Sequence, residues 1–249
     1  ADVLCFSALD TLEPTQVFQR GRLVAADGVT VPGAVASSAP PAWMLTSMHL
    51  ARIPAAAELL LEPPAGGTAR VIGLVPGQLL TRHLVLDVTA NDVDVARIAV
   101  LERHRETGRV GLGWVFGFGL QRGAIASTVA HDAHNCMVVG GRQAAATIDM
   151  AAAIGRLAEI GGGQVAVLDG KVVGEIRLPI GGLMSPDPAG EVARQAATVT
   201  TAAHELLGVT VDAPFMQLSF LGLSVLPHLR ITDLGLVDVD QWKITTVAP

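Results

Sequence analysis

The densest group of reactive side chains in the sequence is His131-Asp132-Ala133-His134-Asn135. An imidazole can ligate a metal, place a planar base or relay a proton. Asp132 can orient either imidazole through its second ring nitrogen. The plainer reading is a hydrogen-bonded turn that stitches two strands together. A metal site made by His131 and His134 alone shows no third ligand in the sequence. A second group, Glu102-Arg103-His104, directly follows the apolar run Val95 to Leu101. Polar groups at the end of an apolar strand often line a site, and an ordinary charged strand exit is the alternative. Ser127, Ser185 and Ser219 are isolated hydroxyls. His49, His83, His204 and His228 are lone histidines. Gly117-Phe118-Gly119 with Gly123 lacks the helix that a dinucleotide loop requires. There is no Gly-x-Ser-x-Gly elbow and no Walker loop.

The elements around these groups are predicted as follows. Val3 to Phe6, Thr15 to Gln19 and Arg22 to Ala25 read as short strands, with turns at Arg20-Gly21 and Asp27-Gly28. Residues 31 to 66 are rich in Ala, Pro and Ser and read as a linker, with one short helix near Pro54 to Leu61. Strands are predicted at Arg70 to Leu74, Leu84 to Val88, Val95 to Leu101, Ala124 to Val129 and Cys136 to Val139. Gly alternates with larger residues over Gly111 to Gly119, which predicts close approach of a packed backbone. Arg142 to Ile160 has helical spacing and ends on Gly161-Gly162-Gly163. Gln164 to Leu168 and Lys171 to Leu178 form a hairpin about Asp169-Gly170. Asp187 to Leu207 is a second helix, with Pro188 in its first turn. Phe215 to Val225 reads as a buried strand. Ile231 to Thr232 and Leu236 to Val239 close the chain. Strands and helices mix without strict alternation, so the fold class is α+β, a mixed β-sheet with packed helices.

Composition narrows the function. The chain has 249 residues, of which 50% are hydrophobic, 27 are Gly and only 16% are charged. Such a chain can bury a sizeable core and is not disordered. The net charge is −6, from 17 Lys+Arg against 23 Asp+Glu. No basic run could track phosphates, so nucleic acid is not an expected partner. The low charge content predicts a surface partly covered by another chain, and a homo-oligomer is one form of this. Cys5 and Cys136 make no Cys-x-x-Cys pair. They suit a reducing compartment, and with no basic leader at the start a cytoplasmic location is expected. Proline and glycine interrupt both long uncharged runs, so no membrane partner is expected.

Several long segments together resemble one family. Arg70-Val-Ile-Gly-Leu-Val-Pro-Gly-Gln-Leu-Leu-Thr81 resembles the entry segment of the C-terminal domain of bacterial adenine deaminases. Gly111 to Ser127, running into His131-Asp132-Ala133-His134-Asn135, resembles the same domain. So do Gly161-Gly-Gly163, Leu178-Pro-Ile-Gly-Gly-Leu-Met-Ser185, Pro214-Phe-Met-Gln-Leu-Ser-Phe220 and the ending Leu229 to Val239. The resemblance covers residues 70 to 239. Residues 1 to 30 resemble the last strands of the small β-domain that flanks an amidohydrolase barrel. Residues 31–69 would then be a linker and 70–249 the deaminase-like domain.

This resemblance implies a metal-binding (β/α)8 barrel on another chain or on a segment before residue 1. The barrel would carry the His-x-His ligands, a pair this sequence lacks, and a divalent metal (Mn, Fe or Zn). It implies hydrolytic deamination of adenine to hypoxanthine and ammonia, with this chain capping the barrel mouth. His131 and Asp132 would be catalytic. His134, Asn135, Glu102 and His104 would contact substrate or support those that do. The chain departs from the family pattern at Ala133, where Ser is usual, at Phe116, where Lys is usual, and across His104 to Arg109. A related cyclic amide, amidine or lactam therefore stands beside adenine as substrate. A non-catalytic binding or assembly module is the reading from a different class.

Overall fold

The computed structural model describes residues 1–34 and 39–249. Residues 35–38, inside the stretch read as a linker, lie outside the described residues. The chain forms two compact units, Ala1–Ala39 and Pro40–Pro249.

The first unit is an antiparallel sheet in the order β1 (Val3–Phe6), β2 (Pro14–Gln19), β3 (Arg22–Ala26), β4 (Val29–Thr30). Its tight turns follow from local chemistry. Arg20 and Gly21 have φ of 48° and 72°, and Asp27 and Gly28 have 46° and 77°. Two successive positive φ values match the right-handed twist of a two-residue hairpin.

The second unit is built on an eight-stranded sheet. Its strands are β5 (Thr68–Leu74), β6 (Thr81–Asp87), β7 (Val95–Leu101), β8 (Val110–Phe116), β9 (Ala124–Ser127), β10 (Cys136–Gly140), β11 (Gly163–Leu168) and β12 (Lys171–Arg177). They lie in the order β12-β11-β9-β10-β7-β8-β5-β6. Among the described residues, β5 and β8 are the one pair that runs parallel. The helices are α1 (Ala146–Ile160), α2 (Ala189–Glu205) and α3 (Pro214–Phe220). A small antiparallel sheet of β13 (Leu229–Thr232), β14 (Gly235–Asp238) and β15 (Lys243–Thr245) completes the unit. The class is α+β.

Both faces of the central strands are covered, which explains their nearly unbroken apolar sequence. Cys136 and Val138 of β10 join Met150, Ile154 and Leu157 of α1 in one core. Met137 and Val139, pointing the other way, join Val199 of α2, Leu218 of α3 and Leu236 of β14 in another. The glycine alternation has the predicted cause. A Cβ on Gly111 would sit 1.9 Å from the Thr232 carbonyl oxygen, and one on Gly113 would sit 3.0 Å from Leu236. The small sheet rests directly on β8.

One expectation is corrected. Residues 215–225 are not a buried strand, because Pro214–Phe220 is α3. Pro214 starts that helix, where a missing N–H costs nothing. Phe215, Leu218 and Leu221 are buried at three-residue spacing while Met216 is exposed. The second compact unit takes in the stretch from Pro40 onward. Ala56–Leu59 forms a 3₁₀ turn whose Leu59 is fully buried among the α1 residues.

Candidate functional site

The register of two strands assembles the site. Leu101, the last residue of β7, pairs with Cys136, the first of β10. The residues just outside that pair, Glu102-Arg103-His104 and His131 to Asn135, are thereby brought side by side. The His104 Nε2 lies 2.7 Å from the Ala133 carbonyl oxygen and donates to it. The Arg103 main-chain N–H donates to Asn135 Oδ1 at 3.4 Å. The two polar groups noted in the sequence lie together.

His131 and His134 face each other edge to face, with ring centroids 5.6 Å apart. His131 is half-buried. Its ring stacks on Phe220 at 5.0 Å and 27°, and its N–H donates to the Ser219 carbonyl at 2.9 Å. His134 has φ of 48°, in the left-handed region, and its N–H donates to the Ala130 carbonyl at 2.6 Å. The Ala130 N–H donates to His134 Nδ1 at 3.3 Å. A neutral His134 therefore carries its proton on Nε2 and presents a donor there. Burial first, then the neighbouring His131 and Arg103 charges, push the His134 pKa below the usual histidine value, against a smaller pull from Asp132. Asp132 and Ala133 are exposed.

Asn135 and Glu102 serve the framework. Asn135 is buried, and its Nδ2 donates to Asp233 Oδ1 at 3.3 Å. Asp233 in turn lies 3.9 Å from the Arg109 guanidinium. The Glu102 carboxylate accepts from the N–H groups of His104, Arg105 and Thr107 and from the Thr107 hydroxyl. Burial raises its pKa, but those four donors outweigh burial and bring it down to about 2. Glu102 thus stays ionised and shapes the turn that carries His104.

Arg103 is the residue whose role was not legible in the sequence. It is only 1% exposed. Its guanidinium donates to three main-chain carbonyls, those of His134 at 2.5 Å, Ser47 at 2.9 Å and Gly181 at 3.0 Å. Phe220, Ser219 and Asp233 also belong to the site. Their link to the loop is purely tertiary, and no local pattern marks it. Cys136, next to Asn135, is fully buried, and burial pushes its thiol up to about 12, so it stays protonated.

Among the described residues, no group of three or more His, Cys, Asp or Glu side chains is placed to hold a metal ion. Among the same residues no helix is long and apolar enough to cross a membrane.

Fold and loop together define a class: an α+β domain that presents two imidazoles and a carboxylate on one clasped loop. The profile of the adenine deaminase C-terminal domain matches residues 78–243. Over 185 residues the chain is 50% identical to an adenine deaminase of Brucella melitensis, covering 71% of this chain and 31% of that protein. Over 257 residues it is 41% identical to adenine deaminase 2 of Carboxydothermus hydrogenoformans, covering 100% of this chain and 44% of that protein. It is 42% identical over 252 residues to adenine deaminase 1 of Rhizobium johnstonii, covering 98% of this chain and 42% of that protein. The chain belongs to the adenine deaminase C-terminal domain family. It spans less than half the length of the curated relatives it matches.

Proposed function

We propose that this chain is the C-terminal part of an adenine-deaminase-like, metal-dependent amidohydrolase. In this reading it caps a (β/α)8 barrel supplied by another chain or by the rest of a longer one. The reaction is adenine plus water giving hypoxanthine and ammonia. Residues 1–30 then complete the small β-domain beside the barrel. The divalent metal (Mn, Fe or Zn) belongs to the barrel rather than to this chain.

The observation that carries this reading is the build of the His131–Asn135 loop. Buried Arg103 and the Ser219-Phe220 seat hold it from the protein side, while Asp132 stays open to whatever meets the loop. A rigidly held imidazole pair with an adjacent carboxylate suits proton handling on a ring substrate. His131 and Asp132 contact the reacting base and move its protons. His134 donates from Nε2 to a ring nitrogen. His104, Asn135 and Glu102 hold the loop in place. The low charge content supports association with the barrel segment and between copies of the whole enzyme.

The test is a turnover assay of the complete, metal-loaded enzyme on adenine, with cyclic amides, amidines and lactams in parallel. Expected is hypoxanthine with an equal amount of ammonia from the complete enzyme and none from residues 1–249 alone. Turnover of another ring substrate with adenine left intact would overturn the substrate. No turnover of any of them would overturn the enzymatic reading in favour of a binding module.

A further inference from the structure

Arg230, in β13, is fully buried. Its guanidinium makes four hydrogen bonds, all to main-chain carbonyls. Nε donates to Leu226 at 2.9 Å and Nη1 to Phe220 at 2.8 Å. Nη2 donates to Leu79 at 2.7 Å and to Pro227 at 2.8 Å. These acceptors lie on three separate stretches: the turn after β5, the end of α3 and the loop before β13. Burial pushes the guanidinium pKa down to about 10. A buried cation held by carbonyls rather than by a carboxylate is costly to place. A fork of five donors is what lets one side chain satisfy three stretches at once.

The Phe220 carbonyl leads to the site. The main-chain N–H of His131 rests on Ser219, and its ring rests on Phe220. Two residues on, a Cβ at Gly222 would lie 3.2 Å from the His131 carbonyl oxygen, so the chain after α3 passes close beneath the loop. Residues 219–222 are the seat of His131, and Arg230 grips that seat. His134 is held separately, by Arg103. The two imidazoles, 5.6 Å apart, thus rest on backbone held by two different buried arginines.

We propose that Arg230 is a positioning residue for His131, acting through the Phe220 carbonyl to set where the imidazole stands relative to His134. This rests on the role given to His131 above. The test therefore has one readout that needs activity and one that does not.

The first readout is NMR of the complete protein labelled at histidine, with His131 identified by its loss in His131→Gln. Arg230→Lys keeps the charge but cannot satisfy four carbonyls. It is expected to move the His131 ring signal away from its Phe220-shifted position and to leave those of His49 and His204 in place. The second is steady-state turnover. Arg230→Lys is expected to lower kcat about tenfold with little change in KM, and to add nothing further to His131→Ala. If Arg230→Lys does not fold, Arg230→Gln, whose single amide can reach only part of the four carbonyls, is read in the same two ways, with the same changes expected. An unmoved His131 signal, or losses that multiply in the double variant, would overturn the proposal. A wild-type enzyme inert on adenine would overturn the proposed function alone, because the NMR arm would still be read.

Discussion

The Arg103 guanidinium donates to the carbonyl oxygen of His134 at 2.5 Å, which ties the histidine loop to the end of β7. The same side chain reaches Ser47 and Gly181, so one residue closes three loops. Arg103→Met would leave three carbonyls without donors. The three acceptors belong to half-buried residues that water can partly reach, so a loss of about 1–3 kcal/mol is expected. Lysine should recover part of it. Gly182→Ala should act on the same clasp, since its Cβ would lie 2.8 Å from Arg103 Nη2 at a φ of +73°. Denaturant midpoints of the three variants check this.

Glu102 predicts an acid sensitivity. Its folded pKa of about 2 lies below the ordinary glutamate value of 4.5. The unfolded chain therefore takes up the proton first as pH falls. The stability that Glu102 contributes is complete above pH 4.5 and is lost as pH drops from there toward 2. Glu102→Gln should start less stable at neutral pH and show a flatter decline in Tm across that window. Parallel slopes for the two proteins would count against it.

His134 gives a second test, with the same sign at a higher pH. Its pKa is held below the usual 6.5, so the unfolded state gains protons first as pH falls through that value. His134 thus subtracts stability below that point. An NMR titration of its ring proton should show a midpoint under 6.5. A midpoint at or above the usual value would mean the ring is neither buried nor crowded by positive charge in solution.

Two glycines should respond in opposite directions. Gly111→Ala drives a Cβ to 1.9 Å from the Thr232 carbonyl, which must lift the small sheet off β8, so severe destabilisation or failure to fold is expected. Gly155 lies inside α1, and a methyl group added there would meet nothing within 4 Å. Gly155→Ala should stabilise by about 0.5–1 kcal/mol. Thermal unfolding of the pair separates packing from propensity.

Much of this architecture is written locally. Arg20-Gly21, Asp27-Gly28 and Asp169-Gly170 specify their turns through positive φ at adjacent residues. The glycine alternation from Gly111 announces a backbone packed against β8. The stretch 213–229 was not legible, because it is apolar nearly throughout and hides a three-residue spacing from a two-residue one. Pro214 was the only local sign of α3. In the site, His131 to Asn135 stood out as a polar island among apolar strands. Its meeting with His104 depends on the Leu101–Cys136 register. The grips of Arg103 and Arg230 end on carbonyls as far as 78 and 151 residues away, and carbonyls carry no side-chain signature.

The most direct measurement is kcat/KM for adenine in the complete, metal-loaded enzyme carrying His131→Ala or Asp132→Asn, with Tm recorded alongside. Loss of a proton-handling group typically costs about 10²–10⁴-fold. A fall of at least a hundredfold with Tm unchanged is the predicted result. Wild-type turnover in both variants would contradict the assignment of this loop to the chemistry.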